Sequence, residues 1–140
     1  MSKVAIVFWS ATGNTETMAN CIAEGAGANG TIVPCAEMTP AKLAEFDVVA
    51  FGCPAMGAEQ LEESEFEPMF AALEGSLNGK KIALFGSYGW GDGEWMRDWT
   101  TRMEAAGATV LNGEGLICHE TPDGDGLSEC RELGKQLANA

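Results

Sequence analysis

Residues 4 to 25, VAIVFWSATGNTETMANCIAEG, contain the pattern that decides the fold. The apolar run over 4 to 9 has the length and the β-branched content of a buried strand. A short polar loop follows, and then Met18, Cys21 and Ile22 recur at the spacing of one face of a helix. The stretch therefore predicts a strand, a loop and a helix in direct succession.

The same unit recurs along the chain. Apolar runs predict further strands at 31 to 35, 47 to 52, 81 to 86 and 109 to 118. Three more apolar stripes at helical spacing predict helices, and they run over 66 to 73, 95 to 106 and 130 to 137. Near-continuous apolar strands that alternate with amphipathic helices are typical of a parallel sheet covered on both faces.

Pro34 indicates the strand order. Proline has no N–H to donate to a central ladder, which puts the second strand at an edge of the sheet. We therefore expect a doubly wound α/β fold, with five parallel strands in the order 2-1-3-4-5 and helices on both faces. A length of 140 residues predicts a single domain over residues 1 to 140.

The composition excludes several function classes. There are 21 Asp plus Glu against 8 Lys plus Arg, a formal net charge of −13. Such a surface repels nucleic acid and anionic membranes and favours basic proteins as partners. No apolar stretch approaches the roughly 20 residues that span a bilayer, and MSKVAIVF lacks a cleavage site. We expect a cytoplasmic monomer.

Cysteine and histidine usage argues against a disulfide framework and a metal site. The five cysteines are widely spaced without a CxxC pair, and the chain has one histidine. A zinc site needs several such ligands at close spacing. We expect buried, reduced thiols and no metal ligand.

The loop after the first strand, SATGNT at 10 to 15, is the first candidate for ligand binding. Ligands of such sheets bind beyond the carboxyl ends of the strands, where the strand order switches. This loop lacks the Lys of a Walker loop and the three glycines of a dinucleotide fingerprint. Its hydroxyls, the Asn14 amide and the N–H groups at a helix N-terminus suit a terminal phosphate. Ordinary N-capping by Ser and Thr is the alternative.

Two further loops complete the candidate site. CPAMGAE at 53 to 59 predicts a turn, and Glu59 could accept a hydrogen bond from a ring N–H, although alone this is an ordinary turn. SYGWGDGEW at 87 to 95 interleaves Tyr88 and Trp90 with glycines, which suits stacking on a flat ligand. Together the loops predict a phosphorylated planar heterocycle, and flavin mononucleotide (FMN) fits.

Three segments resemble those of short-chain flavodoxins, and the resemblance covers essentially the whole chain. They are SATGNTE (10 to 16), GCPAMGAEQLEESEFEP (52 to 68) and FGSYGWGDGEWMRDW (85 to 99). The resemblance implies a low-potential one-electron carrier with non-covalently bound FMN. Such a carrier cycles between semiquinone and hydroquinone in place of ferredoxin, and it is an electron-transfer protein without catalytic residues.

The resemblance also implies roles for single residues. Trp90 would stack on the ring with Met56 on the opposite face, and Glu59 would bind ring N3. The Gly57 peptide would turn over on reduction so that its carbonyl accepts from N5, with Ala58 following it. The full set of expected cofactor contacts is Ser10, Ala11, Thr12, Gly13, Asn14, Thr15, Pro54, Ala55, Met56, Gly57, Ala58, Glu59, Ser87, Tyr88, Gly89, Trp90, Gly91 and Glu120.

The segment EQLEESEFE at 59 to 67, with five acids and no base, bears on potential and partners. Its charge disfavours further negative charge in the site and could steer basic faces of reductases and ferredoxin-dependent enzymes. A solvated acidic helix start is the alternative.

The main alternative function is an FMN-dependent NAD(P)H or quinone oxidoreductase on the same fold. A flavodoxin-like activator of ribonucleotide reductase is a second. A receiver domain has the same strand order, but it would need acids after strand 1, where this chain has FWSAT.

Overall fold

The protein is a parallel sheet with helices on both faces. A computed structural model describes residues 2–11, 13–56, 60–89 and 91–140. The strands are β1 Val4–Phe8, β2 Gly30–Pro34, β3 Val48–Gly52, β4 Lys81–Tyr88, β5 Thr109–Val110 and β6 Leu116–His119. The α-helices are α1 Asn14–Ala26, α2 Pro40–Leu43, α3 Phe66–Leu73, α4 Glu94–Ala105 and α5 Gly124–Ala138.

The strand order is β2-β1-β3-β4-β5, with β6 also paired to β4, and every strand pair is parallel. The predicted order is thus confirmed. Pro34 lies opposite Phe8 on the edge strand, where its missing N–H costs the ladder nothing.

The predicted fifth strand, 109 to 118, is wrong in its middle part, because it is split into β5 and β6. There the side-chain amide of Asn112, instead of a backbone group, makes the hydrogen bonds to β4. Its Oδ1 accepts from Leu84 N at 3.2 Å, and its Nδ2 donates to Leu84 O at 2.8 Å. The turn beyond it contains Gly113 and Gly115, both at positive φ. The chain therefore leaves the sheet after β5 and returns one turn later as β6.

Alternate residues of the central strands β1, β3 and β4 face two separate cores. In β1, Ala5 and Val7 face the side of α2, α3 and α4, whereas Val4 and Ile6 face α1 and α5. All four are fully buried. Burial of both faces explains why the strands are near-continuous apolar runs.

Two glycines set the distance between α1 and α5. A Cβ on Gly25 would lie 1.9 Å from Arg131 O, and one on Gly134 would lie 2.0 Å from Ile22 O. The helix backbones can therefore approach only because neither position carries a side chain. Within the described residues, no helix is long and apolar enough to cross a lipid bilayer.

Candidate functional site

Three loops lie side by side at the carboxyl end of the sheet. The hydrogen-bond ladder continues beyond the strands, since Trp9 N donates to Gly52 O at 3.0 Å. Cys53 N likewise donates to Phe85 O, and Ala55 N donates to Ser87 O, both at 3.1 Å. The loops that follow β1, β3 and β4 are therefore held in register with one another.

The first loop ends at the N-terminus of α1. Gly13, at φ 94°, is the N-cap of α1 and offers no side chain. The Ser10 hydroxyl accepts from Gly13 N at 3.2 Å and from Glu16 N at 3.3 Å. The N–H groups of Asn14 and Thr15 have no acceptor among the described residues. The alternative of N-capping therefore accounts for only part of this loop.

A buried pair of hydroxyls joins the first loop to the third. Thr15 Oγ1 lies 3.0 Å from Ser87 Oγ, and the two residues are 1% and 5% exposed. Ser87 N also points to Thr15 Oγ1, at 3.4 Å. The Thr15 hydroxyl thus fixes the position of the helix start relative to β4.

The second loop is closed by a two-way backbone bridge. Met56 N donates to Gln60 O at 2.9 Å, and Gln60 N donates to Met56 O at 3.0 Å. Residues 57 to 59, between them, lie outside the described part of the chain. The bridge fixes the positions of Met56 and Gln60 relative to each other.

Glu62 anchors the chain that follows Gln60. It is 6% exposed, and its carboxylate accepts from the N–H groups of Ser64, Glu65 and Phe66 at 2.7 to 2.9 Å, as well as from the Ser64 hydroxyl. Burial alone would raise the pKa of Glu62, but these hydrogen bonds outweigh it and lower the pKa to about 2. Glu62 N also donates to Cys53 Sγ at 3.3 Å. The carboxylate therefore stabilises the start of α3, and the bond to Cys53 holds this segment against the second loop.

The third loop rests on aromatic and backbone contacts. The Tyr88 ring lies 5.6 Å from the Trp95 ring and 5.0 Å from the His119 ring. Trp95 Nε1 donates to Cys53 O at 3.1 Å, which connects α4 to the end of β3. His119 Nε2 lies 3.0 Å from Gly89 O. Tyr88 and Gly89 are thus supported from both sides.

Glu120 follows β6 in a conformation that few residues adopt. Its φ is +56°, in the left-handed region, and its N–H donates to Tyr88 O at 2.6 Å. Non-glycine residues in this region are uncommon and are concentrated at functional sites. The turn brings the Glu120 side chain to the third loop.

One cavity of about 190 Å³ is bordered by all three loops and Glu120. Every described residue that borders it belongs to the predicted set of cofactor contacts. They are Ala11, Asn14, Pro54, Ala55, Met56, Ser87, Tyr88, Gly89 and Glu120. Four other predicted contacts do not border the cavity, although each lies within two positions of a residue that does. They are Ser10, Gly13, Thr15 and Gly91. The remaining ones, Thr12, Gly57, Ala58, Glu59 and Trp90, lie outside the described residues.

Comparison with known proteins identifies the family. A family model described as Flavodoxin matches residues 6–134. The chain is 49% identical to the flavodoxin of Megasphaera elsdenii over 140 residues, covering 98% of this chain and 99% of that one. It is 47% identical to the flavodoxin of Clostridium beijerinckii over 137 residues, covering 96% and 98%. The chain belongs to the flavodoxin family.

The fold of this flavodoxin matches that of its relatives. The solution structure of two-electron reduced Megasphaera elsdenii flavodoxin superimposes with a TM-score of 0.85 at 48% identity, over 98% of this chain and 99% of that one. The predictions of the family and of the fold are confirmed.

The acidic segment of this flavodoxin has more structural uses than the sequence indicated. Glu62 is buried as described above, and Glu65 Oε2 accepts from Trp9 Nε1 at 2.9 Å. Glu67 forms a bidentate pair with Arg102, at 2.7 Å for each contact. Glu63 is exposed. Three of the five acids therefore bond to other groups of the protein, and the buried Glu62 does not fit the alternative of a solvated acidic helix start.

Arg102 joins α3 to α4 beneath this segment. It also binds the Glu74 carboxylate, at 2.7 and 2.8 Å, and lies 4.9 Å from the centroid of the Phe70 ring. Hydrogen bonds to Glu74 and Glu67 raise the pKa of the guanidinium, and the pKa of Glu74 is lowered by Arg102 in turn. This cluster was not predicted from the sequence, although the i, i+7 spacing of Glu67 and Glu74 could have indicated it.

The thiols are mostly buried, as expected. Cys35 is the exception, being half-buried at the end of β2. Burial raises the pKa of Cys53 to about 12. The Cys118 and Cys130 thiols are hydrogen-bonded to each other, which lowers the pKa of Cys118 and raises that of Cys130.

Proposed function

We propose that this chain carries single electrons on FMN held non-covalently among the three loops. Flavodoxins are FMN-binding electron carriers, so the predicted function and cofactor are those of the family to which the chain belongs. The observation that carries the assignment of the site is the cavity that all three loops border, since every residue around it was expected from the sequence to contact FMN.

The phosphate end of the cofactor fits the first loop. The N–H groups of Asn14 and Thr15 have no acceptor in the described part of the chain, and they lie at the positive end of the α1 dipole. The loop has no Lys or Arg, so these groups and the hydroxyls would hold the phosphate without a cation. Ser10 to Thr15 would thus form the phosphate site.

The ring end fits the second and third loops. Pro54, Ala55 and Met56 border one side of the cavity, and Ser87, Tyr88 and Gly89 border another. Glu120 closes the edge. Residues 57 to 59, Trp90 and Gly91 complete the predicted set. Bound FMN supplies reversible one-electron chemistry, which no side chain of this protein provides.

The charges of the acidic segment that follows the second loop favour a low potential. Glu62 stays ionised at neutral pH, because its pKa is about 2. Glu63 and Glu65 add charge on the same segment. Further negative charge in the neighbouring site is therefore opposed. The same charges suit docking to basic faces of redox partners, such as reductases and ferredoxin-dependent enzymes.

We also propose that the protein is a carrier and not an enzyme, and that it acts as a monomer in the cytoplasm. The alternative, an FMN-dependent NAD(P)H or quinone oxidoreductase, needs a second pocket next to the ring. A cavity of about 270 Å³ borders Met56, but Glu62 and Glu63 also line it, and their carboxylates disfavour the phosphates of a nicotinamide dinucleotide.

Visible spectra during stepwise anaerobic reduction test the function. A carrier passes through a one-electron reduced flavin before it bleaches, and NADPH alone does not reduce it. Direct passage to the two-electron level, or rapid reduction by NADPH without a reductase, would support the enzyme instead. A protein that binds no flavin would contradict both.

A pair of variants on α1 tests the phosphate site. Asn14→Ala removes a polar side chain from the cavity, and Asn20→Ala removes an exposed one a little under two turns away. Since a hydrogen bond to a charged group contributes about 1.5 kcal/mol, we expect Asn14→Ala to weaken FMN binding about tenfold. Riboflavin, without the phosphate, should lose little, and Asn20→Ala should leave both unchanged. Equal losses for FMN and riboflavin would place the phosphate elsewhere.

A further inference from the structure

His119, the one histidine of the chain, lies directly behind the wall of the cavity. It is the last residue of β6 and pairs with Tyr88 of β4. Its Nε2 is 3.0 Å from Gly89 O, and its ring contacts the Tyr88 ring. Tyr88 and Gly89 border the cavity, and so does Glu120, the residue that follows His119. A change at His119 therefore acts directly on the cavity wall.

We propose that His119 is a positioning residue that holds the third loop through Gly89, and that its protonation tightens the binding of the anionic cofactor. The proposal rests on the proposed function, because the ligand in question is FMN in this cavity. It adds a role for a residue outside the set of expected cofactor contacts.

The hydrogen bond determines which proton can be lost. A carbonyl oxygen only accepts, so Nε2 must carry a hydrogen when it bonds to Gly89 O. Both the neutral tautomer protonated at Nε2 and the imidazolium satisfy this condition. Titration therefore takes place at Nδ1 and leaves the bond to Gly89 in place. What changes with pH is the charge at the cavity wall and not the support of the loop.

Other ionisable groups surround the imidazole. Glu120 Oε1 lies 4.0 Å from Nε2, and the Tyr88 ring covers one side. His119 also lines a neighbouring cavity. The other ionisable residues that line this second cavity are Cys118, Asp123, Asp125 and Glu129. A bound phosphate and a reduced ring would both add negative charge.

The sign of the coupling follows from linkage. A protonated His119 attracts an anionic ligand, so FMN binds more tightly at low pH, and bound FMN makes His119 harder to deprotonate by the same factor. Charges separated by about one layer of side chains near a protein surface change each other's binding by a few-fold. We expect about a fourfold effect.

Two variants separate the roles of the hydrogen bond and of the charge. His119→Gln retains an amide donor near the position of Nε2 but has no titrating charge. His119→Ala loses both. FMN affinity is measured from flavin fluorescence quenching at about pH 5.5 and about pH 8.5 for the three proteins. The His119→Gln curve also corrects for titration of the FMN phosphate and of the surrounding groups, all of which that variant retains.

We expect wild type and His119→Gln to bind FMN equally at the higher pH, and wild type to gain about fourfold over the variant at the lower pH. His119→Ala should bind several-fold more weakly at both. Since the chain has one histidine, its ¹H NMR signal is unambiguous, and the midpoint of its titration should move to higher pH when FMN is added.

Parallel affinity curves for wild type and His119→Gln, together with an unmoved midpoint, would overturn the coupling. FMN binding by His119→Ala that is as tight as that of wild type would overturn the support of the loop. Absence of FMN binding at any pH would overturn the proposed function as well, so the two failures are distinguishable.

Discussion

Replacing Glu62 by Gln should destabilise the protein in a way that depends on pH. The Glu62 carboxylate is buried and accepts hydrogen bonds from three N–H groups and one hydroxyl. A Gln amide keeps one acceptor oxygen and directs an NH₂ group at donors that need an acceptor. The variant therefore leaves buried donors unpaired, which is more costly than the loss of one exposed carboxylate.

The magnitude follows from the pKa of Glu62. It falls from 4.5, the ordinary value, to about 2 in the folded protein. At 1.36 kcal/mol for each pH unit, ionisation stabilises the folded state by about 3 kcal/mol at neutral pH. Because the folded pKa is the lower one, this contribution is complete above about pH 5 and is lost as the pH falls toward 2. Less than half of it should remain at about pH 3.

Urea unfolding of the flavin-free protein measures this effect, because removal of the ligand separates folding from FMN binding. Glu63→Gln is the matched control, since it makes the same change of charge at the exposed neighbour. At pH 7 we expect Glu62→Gln to lose about 2 to 3 kcal/mol and Glu63→Gln less than about 0.5 kcal/mol. A deficit of Glu62→Gln that is no larger than that of the control, or that stays constant down to pH 3, would refute the reasoning.

Two further pairs of variants test the packing of the helices. Gly134→Ala should lose about 2 kcal/mol or more in urea unfolding, because its Cβ would lie 2.0 Å from Ile22 O. Gly124→Ala, in open space at the start of the same helix, should be neutral or slightly stabilising, and equal effects would contradict this account. Arg102→Ala should cost about 2 kcal/mol, because it leaves the Glu67 and Glu74 carboxylates unpaired and removes the guanidinium from the Phe70 ring. Arg97→Ala, which breaks an exposed pair, should cost less than about 1 kcal/mol, and a larger loss there than for Arg102→Ala would refute the ranking.

The sheet could be predicted from the sequence because the central strands β1, β3 and β4 are buried on both faces. Runs such as Val4 to Phe8 have no other stable placement in a protein of this size, and Pro34 excludes a central position for β2. The fifth strand was predicted as continuous because its apolar content continues on both sides of the break. Asn112 and Gly113 form a turn signal that the run concealed.

The positions of the three loops were also predictable, since the topology of a parallel sheet brings them to one end. Their supports were not. Glu62, Glu65 and Glu67 are identical in type and close in sequence, yet one is buried, one binds Trp9 and one binds Arg102. Which acid takes which role depends on how the chain folds back after the second loop, and composition does not contain that information. The contact of His119 with Gly89 likewise depends on the register of β6 on β4.

A site that binds a phosphate with dipoles differs from one that binds it with lysines. The N–H groups at the start of α1 stabilise a nearby anion, but they carry no net charge, so the phosphate adds its full charge to a chain that already has a net charge of −13. Loading with FMN therefore makes the proposed carrier more negative at long range and strengthens its attraction to a basic partner. The same uncompensated charge opposes a further electron on the ring, which lowers the potential. The absence of cations from the first loop thus connects two properties of the proposed carrier, its low potential and its choice of partner.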